Sequence, residues 1–281
     1  MQEKQESQEE TIDIKTLILK YAQYWHYFVF TIFFFISIAF LSNRYSVPEY
    51  SVSTTLLIRD DNNTQLGAEN LLEGLELFSG KKNLKNEIVI LSSYSLCEKV
   101  IEELNLGISY YQHGFLKTNE IYGNSPFKVE VDSSHLQLTG VSFQINQLNN
   151  EEFTLSISAS NQFPYNILSK SLEKSINANI DIEEKHTFNS LIETEFYAFK
   201  VNKSIHFSLE KIISSEKYFS FQLHQVDKLA NNLIKKIIIN PVNKETSILK
   251  LSISERNPRK NIHILNKITE IYIRSGLDEK N

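Results

Sequence analysis

Residues 27–41 read YFVFTIFFFISIAFL, and no Asp, Glu, Lys or Arg occurs between Tyr21 and Asn43. A helix over these 23 residues would be roughly 34 Å long, enough to cross a hydrocarbon core of about 30 Å. Aromatic residues, which favour the membrane interface, lie near both ends, at residues 24–27 and at Tyr45. The stretch therefore predicts a transmembrane helix over residues 21–43.

Two other interpretations of this stretch are less consistent with its flanks. A cleaved signal peptide has a basic N-terminal region, whereas the first 20 residues carry five acidic side chains against Lys4, Lys15 and Lys20. A buried core helix would be shorter and would not be followed at once by Arg44 and Pro48. A membrane anchor is favoured over both.

The orientation of the anchor depends on a small charge bias. The three lysines precede the span, and Arg44 and Arg59 follow it, which barely favours a cytoplasmic N-terminus. Residues 12–24 fit either a helix on the membrane surface, with Lys15 and Lys20 on its polar side, or an ordinary solvated turn.

Composition excludes several classes of protein. The 29 Lys and Arg against 34 Asp and Glu leave a net charge of -5, so no basic excess exists for a nucleic acid. Cys97 is the only cysteine, which removes intramolecular disulfides and multi-cysteine metal sites. With only 8 glycines and 5 prolines, neither a low-complexity linker nor a glycine-rich phosphate loop is expected.

The sequence after the span predicts one α+β domain over residues 44–281, because strand and helix patterns interleave. Residues 50–58 alternate, with Tyr50, Val52, Thr54, Leu56 and Ile58 on one face of a strand. Residues 59–80 predict a polar loop with a short helix. Residues 86–104 predict one helix with Val89, Leu96, Val100 and Leu104 on its apolar stripe and Cys97 buried beside it. Further strands are predicted at residues 127–131, 141–145, 153–157 and 196–201.

The C-terminal part alternates again between helix and strand. A helix is predicted around Val226, Leu229, Ala230 and Leu233, followed by strands at 236–239 and 248–254. A last helix begins with Asn257 as its cap and Pro258 at its first position. Its apolar face is predicted as Ile262, Leu265, Ile268 and Tyr272.

No catalytic, cofactor-binding or metal-ligating residue is predicted. Residues 74–82, GLELFSGKK, have the wrong glycine spacing for a phosphate loop. The adjacent carboxylates Glu183 and Glu184, or Asp60 and Asp61, fit solvated charge better than a facing catalytic pair. The seven histidines have no metal-ligand spacing; they are His26, His113, His135, His186, His206, His224 and His263.

One cation cluster is a candidate for an anionic glycan or a lipid headgroup. Arg256, Arg259, Lys260 and Lys267 lie close together in sequence around the last helix. The alternative, a solvated helix face, is the commoner role of such charges.

Several stretches together resemble the Wzz-type chain-length determinants, the polysaccharide co-polymerases that include the N-terminal half of Wzc-like tyrosine autokinases. Their order and spacing are similar to the larger, Bacteroidetes-type members, and they extend over nearly the whole chain. The stretches are 12–15, 48–58, 86–106, 110–117, 120–122, 125–127, 252–258, 264–266 and Tyr272.

This resemblance implies a non-enzymatic protein of the bacterial inner membrane, with residues 1–20 cytoplasmic and residues 44–281 periplasmic. It implies a ring-like homo-oligomer and contact with a Wzy-type polymerase, the export machinery and lipid-linked or growing polysaccharide. No cofactor is implied. The helices at 86–104 and from Pro258 onward are candidates for subunit contact, and a core role is the alternative for each residue.

The chain departs from the family pattern after its last helix. Family members return through the membrane by a second helix, and the kinase-bearing members continue into a kinase domain; neither feature is found in these 281 residues. We therefore expect a longer parent protein. The rival function is a single-pass sensor with a ligand-binding outer domain, which predicts a concave apolar pocket with a few polar groups. A periplasmic enzyme is the third and least supported reading.

Overall fold

The computed structural model describes residues 14–46, 48–58, 84–114, 117–146, 149–174, 177–210, 218–243 and 246–278. The chain divides into two compact units, residues 1–48 and residues 49–281. The predicted loop at residues 59–80 and the glycine-containing stretch at 74–82 lie outside the described residues, as do Asp60 and Asp61.

The described part of the first unit contains two consecutive helices, α1 (Ile14–Ala22) and α2 (Trp25–Tyr45). Within α2, residues 25–44 have a mean hydropathy of 1.8 and none of these residues is buried. By length and composition this helix can cross a membrane. It starts four residues later than the predicted span, because the chain makes a turn at residues 23–24.

The second unit begins with a helix-on-sheet layer, which we call the base layer. The base layer comprises β1 (Tyr50–Leu57), α3 (84–91), α4 (Tyr94–Glu103), α5 (Val226–Lys236), β14 (Ile238–Pro241), β15 (Ile248–Glu255) and α6 (Pro258–Asp278). Its antiparallel sheet has the strand order β1–β15–β14. Helix α6 packs on β1 and β15, α4 packs on α5 and α6, and all four helices contribute to the core over one face of the sheet.

Strand β1 confirms the predicted alternation. Leu56 and Ile58 are buried under the helices, and Val52 and Thr54 are half-buried on the same face. Tyr50, at the start of the strand, is exposed. The apolar positions of β1 therefore point into the base-layer core.

The single helix predicted for residues 86–104 is wrong. The chain forms two helices, α3 and α4, separated at Ser92 and Ser93. Ser93 caps α4, because its hydroxyl accepts a hydrogen bond from the amide of Leu96 at 3.4 Å. The break rotates α3 relative to the expected stripe, so Val89 is exposed rather than buried. Cys97, Leu96 and Val100 are buried as predicted.

The last helix, α6, confirms the predicted start and cap. The side-chain oxygen of Asn257 accepts a hydrogen bond from the amide of Lys260 at 3.2 Å. The predicted apolar face was partly wrong, because Ile262 is exposed. The buried stripe is Ile264, Leu265, Ile268 and Ile271, with Tyr272 packed at its edge. The strand predicted from Lys236 is also displaced, since that residue ends α5.

We expect Asn257→Ala to lower the free energy of unfolding by about 1 kcal/mol. The substitution leaves the Lys260 amide, at the start of α6, without its cap. Urea unfolding of the full chain in detergent micelles, followed by circular dichroism, measures the loss. Asn257→Ser, which keeps a capping oxygen, is the matched control and should retain most of the stability; an equal loss in both variants would contradict the capping role.

The other described residues of the second unit, which lie between α4 and α5 in the chain, form a mainly β body that we call the β-sandwich. The strands of the β-sandwich are β2 (Ile108–His113), β3 (Thr118–Glu120), β4 (Phe127–Val131), β5 (Leu136–Gln137), β6 (Ser142–Asn146), β7 (Glu152–Gln162), β8 (Tyr165–Asn166), β9 (Ser171–Leu172), β10 (Ala178–Thr187), β11 (Leu191–Glu193), β12 (Ala198–Lys203) and β13 (Tyr218–Leu223). A six-stranded antiparallel sheet with the order β10–β7–β6–β13–β2–β3 packs on a three-stranded sheet, β11–β12–β4. A small sheet, β5–β8–β9, completes the β-sandwich.

Aromatic rings from both sheets fill the core of the β-sandwich. Phe143 lies parallel to Phe221 at 4.8 Å and edge-on to Phe199 at 5.3 Å. All three side chains are fully buried. Edge-on and offset ring packing adds to the hydrophobic stabilisation. The second unit thus has two hydrophobic cores, one in each layer, and the predicted mixed α/β class is confirmed.

Candidate functional site

The two helices proposed for subunit contact contribute most of the base-layer core. Helix α4 buries Leu96, Cys97, Val100 and Ile101. Helix α6 buries its stripe against the same core. For these residues the structure supports the core role, which leaves only the outward sides of α4 and α6 available to a second subunit.

The predicted cation cluster is separated into individual contacts. The ammonium group of Lys260 is paired with Glu120 at 2.5 Å, and the guanidinium of Arg259 donates to the side chain of Asn124 at 3.2 Å. Arg256 is exposed. These contacts orient Lys260 and Arg259 toward the β-sandwich, so the four residues do not form one anion-binding group.

Lys267 belongs to a separate charge network between α6 and α4. Its ammonium group lies 2.8 Å from Glu270 and 3.5 Å from Glu103, which also pairs with Arg274. The hydrogen bond from Arg274 lowers the pKa of Glu103, and the one to Glu270 raises the pKa of Lys267. These exposed pairs contribute little stability each, but they keep the cations occupied.

Polar contacts between described residues join the β-sandwich to the base layer on two sides. One group involves α6 and the segment around β3, and the other involves α4 and α5 with the segment around β8. They include Glu120–Lys260, Tyr122–His263, Asn124–Arg259, Lys170–Glu98 and Tyr165–Asp227. The junction is thus held from two sides, which restricts movement of one layer relative to the other.

The least exposed ion pair at this junction should contribute measurably to stability. The side chains of Lys260 and Glu120 are 16% and 24% exposed, so water screens the pair incompletely. We expect a double-mutant cycle with Glu120→Gln and Lys260→Met to give a coupling energy of about 1–3 kcal/mol. Urea unfolding of the four proteins measures it.

The pair between Lys236 and Glu255 is the matched control. Its lysine is 53% exposed, so the corresponding cycle should give a coupling energy of about 0–1 kcal/mol. Equal coupling energies in the two cycles would contradict the role of burial at the junction.

An apolar cavity of about 190 Å³ lies at the same junction. Ile108, Leu223 and Val226 contribute apolar walls, while Lys170 and His224 contribute polar groups. Burial lowers the pKa of His224, which favours the neutral ring. Since pockets for small-molecule ligands usually have volumes of about 300–1,000 Å³, this cavity is small for a ligand site.

The described side chains form no cluster typical of a metal site. Among them, no three His, Cys, Asp or Glu lie close enough together to hold a metal ion. Glu183 and Glu184 point to opposite sides of β10, as expected for neighbours in a strand. Burial raises the pKa of the Cys97 thiol to about 11, which disfavours the reactive thiolate.

Arg259 and Lys260 were singled out from the sequence, but the residues that they contact across the junction were not. Glu120 and Lys260 are 140 positions apart in the chain. No periodicity in the sequence connects them. The alternation of polar and apolar residues at 218–223 was a usable signal for β13, where no strand was predicted.

Comparison with known proteins bears on the N-terminal part of the chain. Residues 10–104 match the family model described as Wzz: Chain length determinant protein. The match includes α1, the apolar helix α2, strand β1 and helices α3 and α4, and covers about a third of the chain. A comparison with curated proteins finds no match. The predicted resemblance to the Wzz-type chain-length determinants is therefore confirmed over residues 10–104.

Proposed function

We propose that the protein regulates the chain length and export of an exopolysaccharide, capsule or O-antigen as a polysaccharide co-polymerase of the bacterial inner membrane. The Wzz match at residues 10–104 carries this proposal, because chain-length regulation in polysaccharide biosynthesis is the function of that family. The apolar helix α2 supports a membrane location, since nothing in its unit buries it.

In this proposal residues 1–20 are cytoplasmic and residues 44–281 form a periplasmic domain. The protein acts by assembly into a ring-like homo-oligomer and by contact with a Wzy-type polymerase, not by catalysis. The exposed sides of α4 and α6 are the surfaces we propose for subunit contact, because their buried sides are occupied by the base-layer core.

The size distribution of surface and secreted polysaccharide tests the function. Gels would compare the parent strain, a strain lacking the gene and a strain complemented with the full gene. We expect the modal length to be lost or shifted in the deletion strain and restored by complementation. An unchanged distribution for each polysaccharide that the strain makes would contradict chain-length control.

The rival sensor function is weakly supported by the junction cavity. That cavity is apolar with a few polar groups, as a sensor would require, but about 190 Å³ accommodates only a small ligand. The deletion experiment also discriminates the two functions, because a sensor would leave the modal polysaccharide length unchanged while altering the expression of other genes.

A further inference from the structure

The outer face of the six-stranded sheet in the β-sandwich is polar and carries both exposed side chains and small buried ones. Phe143, Leu155 and Phe221 point into the core, so the residues between them point outward. The strand registers align six outward side chains in one row across the sheet, which we call the outer row. They are Glu120, Tyr111, Ser220, Gln144, Ser156 and Glu183, from β3 to β10.

The outer row is long enough to contact an extended chain molecule. Neighbouring strands lie about 4.8 Å apart, so six strands span roughly 24 Å from the first to the last. Gln144 and Glu183 are exposed, and Tyr111, Ser156 and Glu120 are half-buried. Ser220 is buried, so the surface of the row is lower at Ser220 than at the neighbouring side chains of Tyr111 and Gln144.

A fixed pair of aromatic rings lies beside the row. The rings of His113 and Tyr218 are parallel, with centroids 4.4 Å apart. Both ring nitrogens of His113 are engaged, Nε2 with the hydroxyl of Ser220 at 2.7 Å and Nδ1 with that of Thr118 at 3.0 Å. Tyr218, held against this ring, is still 42% exposed. Little conformational entropy would be lost when a ligand packs on it.

These side chains have the chemistry that recognises sugars. Amide, hydroxyl and carboxylate groups donate to and accept from sugar hydroxyls. An exposed aromatic ring packs on the apolar C–H face of a sugar ring. Glu120 is already paired with Lys260, and the other outward charges on the sheet are mostly acidic, with Glu152, Asp181 and Glu183 against Lys185. Such a face repels an anionic glycan and is compatible with a neutral one.

We propose that the outer row, with Tyr218 beside it, binds a neutral polysaccharide laid across the strands. The proposal deepens the proposed function by naming the class of glycan that the β-sandwich contacts. Tyr218 supplies the stacking surface, and Gln144 at the centre of the row supplies hydrogen bonds to sugar hydroxyls. Strand pairing fixes both positions, so the site exists before the ligand binds.

Direct binding to defined oligosaccharides tests this proposal. The full chain in detergent micelles would be titrated calorimetrically with cellohexaose, laminarihexaose, mannohexaose and maltohexaose as neutral probes and hexagalacturonate as the anionic probe. We expect binding of at least one neutral probe and no tighter binding of the anionic one. Binding of no neutral probe, or tighter binding of hexagalacturonate, would overturn the proposal.

Two substitutions at exposed positions locate the site without threatening the fold. We expect Tyr218→Ala and Gln144→Ala each to weaken binding of the neutral probe about tenfold, the equivalent of roughly 1.4 kcal/mol. Thr55→Ala, on the open hydroxyl-bearing face of the base-layer sheet, is the matched control and should leave the affinity unchanged. Unchanged affinity in both sandwich variants, with circular dichroism like that of the parent protein, would overturn the assignment of the site.

The outcome is separable from that of the proposed function. Chain-length control is judged from polysaccharide gels of the deletion strain, whereas glycan binding is judged from calorimetry on purified protein. Binding that persists when deletion leaves the polysaccharide unchanged would refute chain-length control alone. A shifted modal length without binding would refute the glycan site alone.

Discussion

Phe143→Ala should lower the free energy of unfolding by about 3–5 kcal/mol. Phe143 is fully buried, and its ring contacts those of Tyr197, Phe199 and Phe221 at centroid distances of 4.8–5.4 Å. Truncation to alanine removes the transfer free energy of the ring and leaves a cavity that rigid sheets cannot close. Urea unfolding of the full chain in detergent micelles, followed by circular dichroism, measures the loss.

Phe163→Ala is the matched control for this substitution. It deletes the same side chain at a position that is 39% exposed, so we expect a loss below about 1 kcal/mol. Similar losses for the two variants would show that the aromatic core of the β-sandwich is not a main source of its stability.

At neutral pH, Asn261→Asp in the base layer should lower the free energy of unfolding by a similar amount, about 3–5 kcal/mol. Asn261 is fully buried in α6, and its amide nitrogen donates to the carbonyl oxygens of Tyr50 at 3.2 Å and Glu255 at 3.5 Å. An aspartate there would place a carboxylate against two carbonyl oxygens. The substitution therefore replaces two hydrogen bonds with electrostatic repulsion in a buried site.

The loss for Asn261→Asp should depend on pH in a defined direction. Burial beside carbonyl oxygens would raise the folded-state pKa of the new carboxyl above its unfolded value of about 3.9. The protonated acid is tolerated, so the penalty is smallest below about pH 4 and grows as the pH rises toward the folded-state pKa. Measurements at pH 4 and pH 7, each against the parent protein, would show this difference.

Asn261→Ala separates the charge from the lost hydrogen bonds. It removes the same two donors without adding a titrating group, so its loss relative to the parent should not change with pH. If the loss for Asn261→Asp were equally independent of pH, the buried-charge explanation would be wrong.

Local patterns in the sequence predicted the elements that have one buried and one open face or a characteristic residue at their start. Strand β1 has one face under helices and one face open, so the alternation at residues 50–58 identified both the strand and its inward face. Helix α6 begins with Asn257 and Pro258, whose preferences at a helix start are intrinsic to the residues. Such signals are local and do not depend on distant contacts.

Errors arose where tertiary packing determines the local structure. A continuous helical pattern at residues 86–104 concealed the break at Ser92 and Ser93, because serine is tolerated inside a helix as well as at its cap. On α6, Ile262 and Ile264 are equally apolar, and only the position of β1 and β15 decides which is buried.

The candidate site was the least predictable part. Arg259 and Lys260 were grouped by their proximity in sequence, but each contacts a different residue of the β-sandwich more than 130 positions away. The outer row depends on the pairing of six strands, and each strand alone is a short alternating segment. Pairing across such distances leaves no periodic signal in a single sequence.

The pairing of β1 with β15 has a consequence for the synthesis of the protein. Tyr50 pairs with Glu255, so β1 leaves the ribosome about two hundred residues before its only partner strand among the described residues. At about 5–20 residues per second, translation leaves β1 without that partner for roughly 10–40 s. The β-sandwich, whose strands lie wholly within this interval, can fold first. Closure of the base layer is therefore a late event, and until then the unpaired edge of β1 can pair with another chain or be bound by a chaperone.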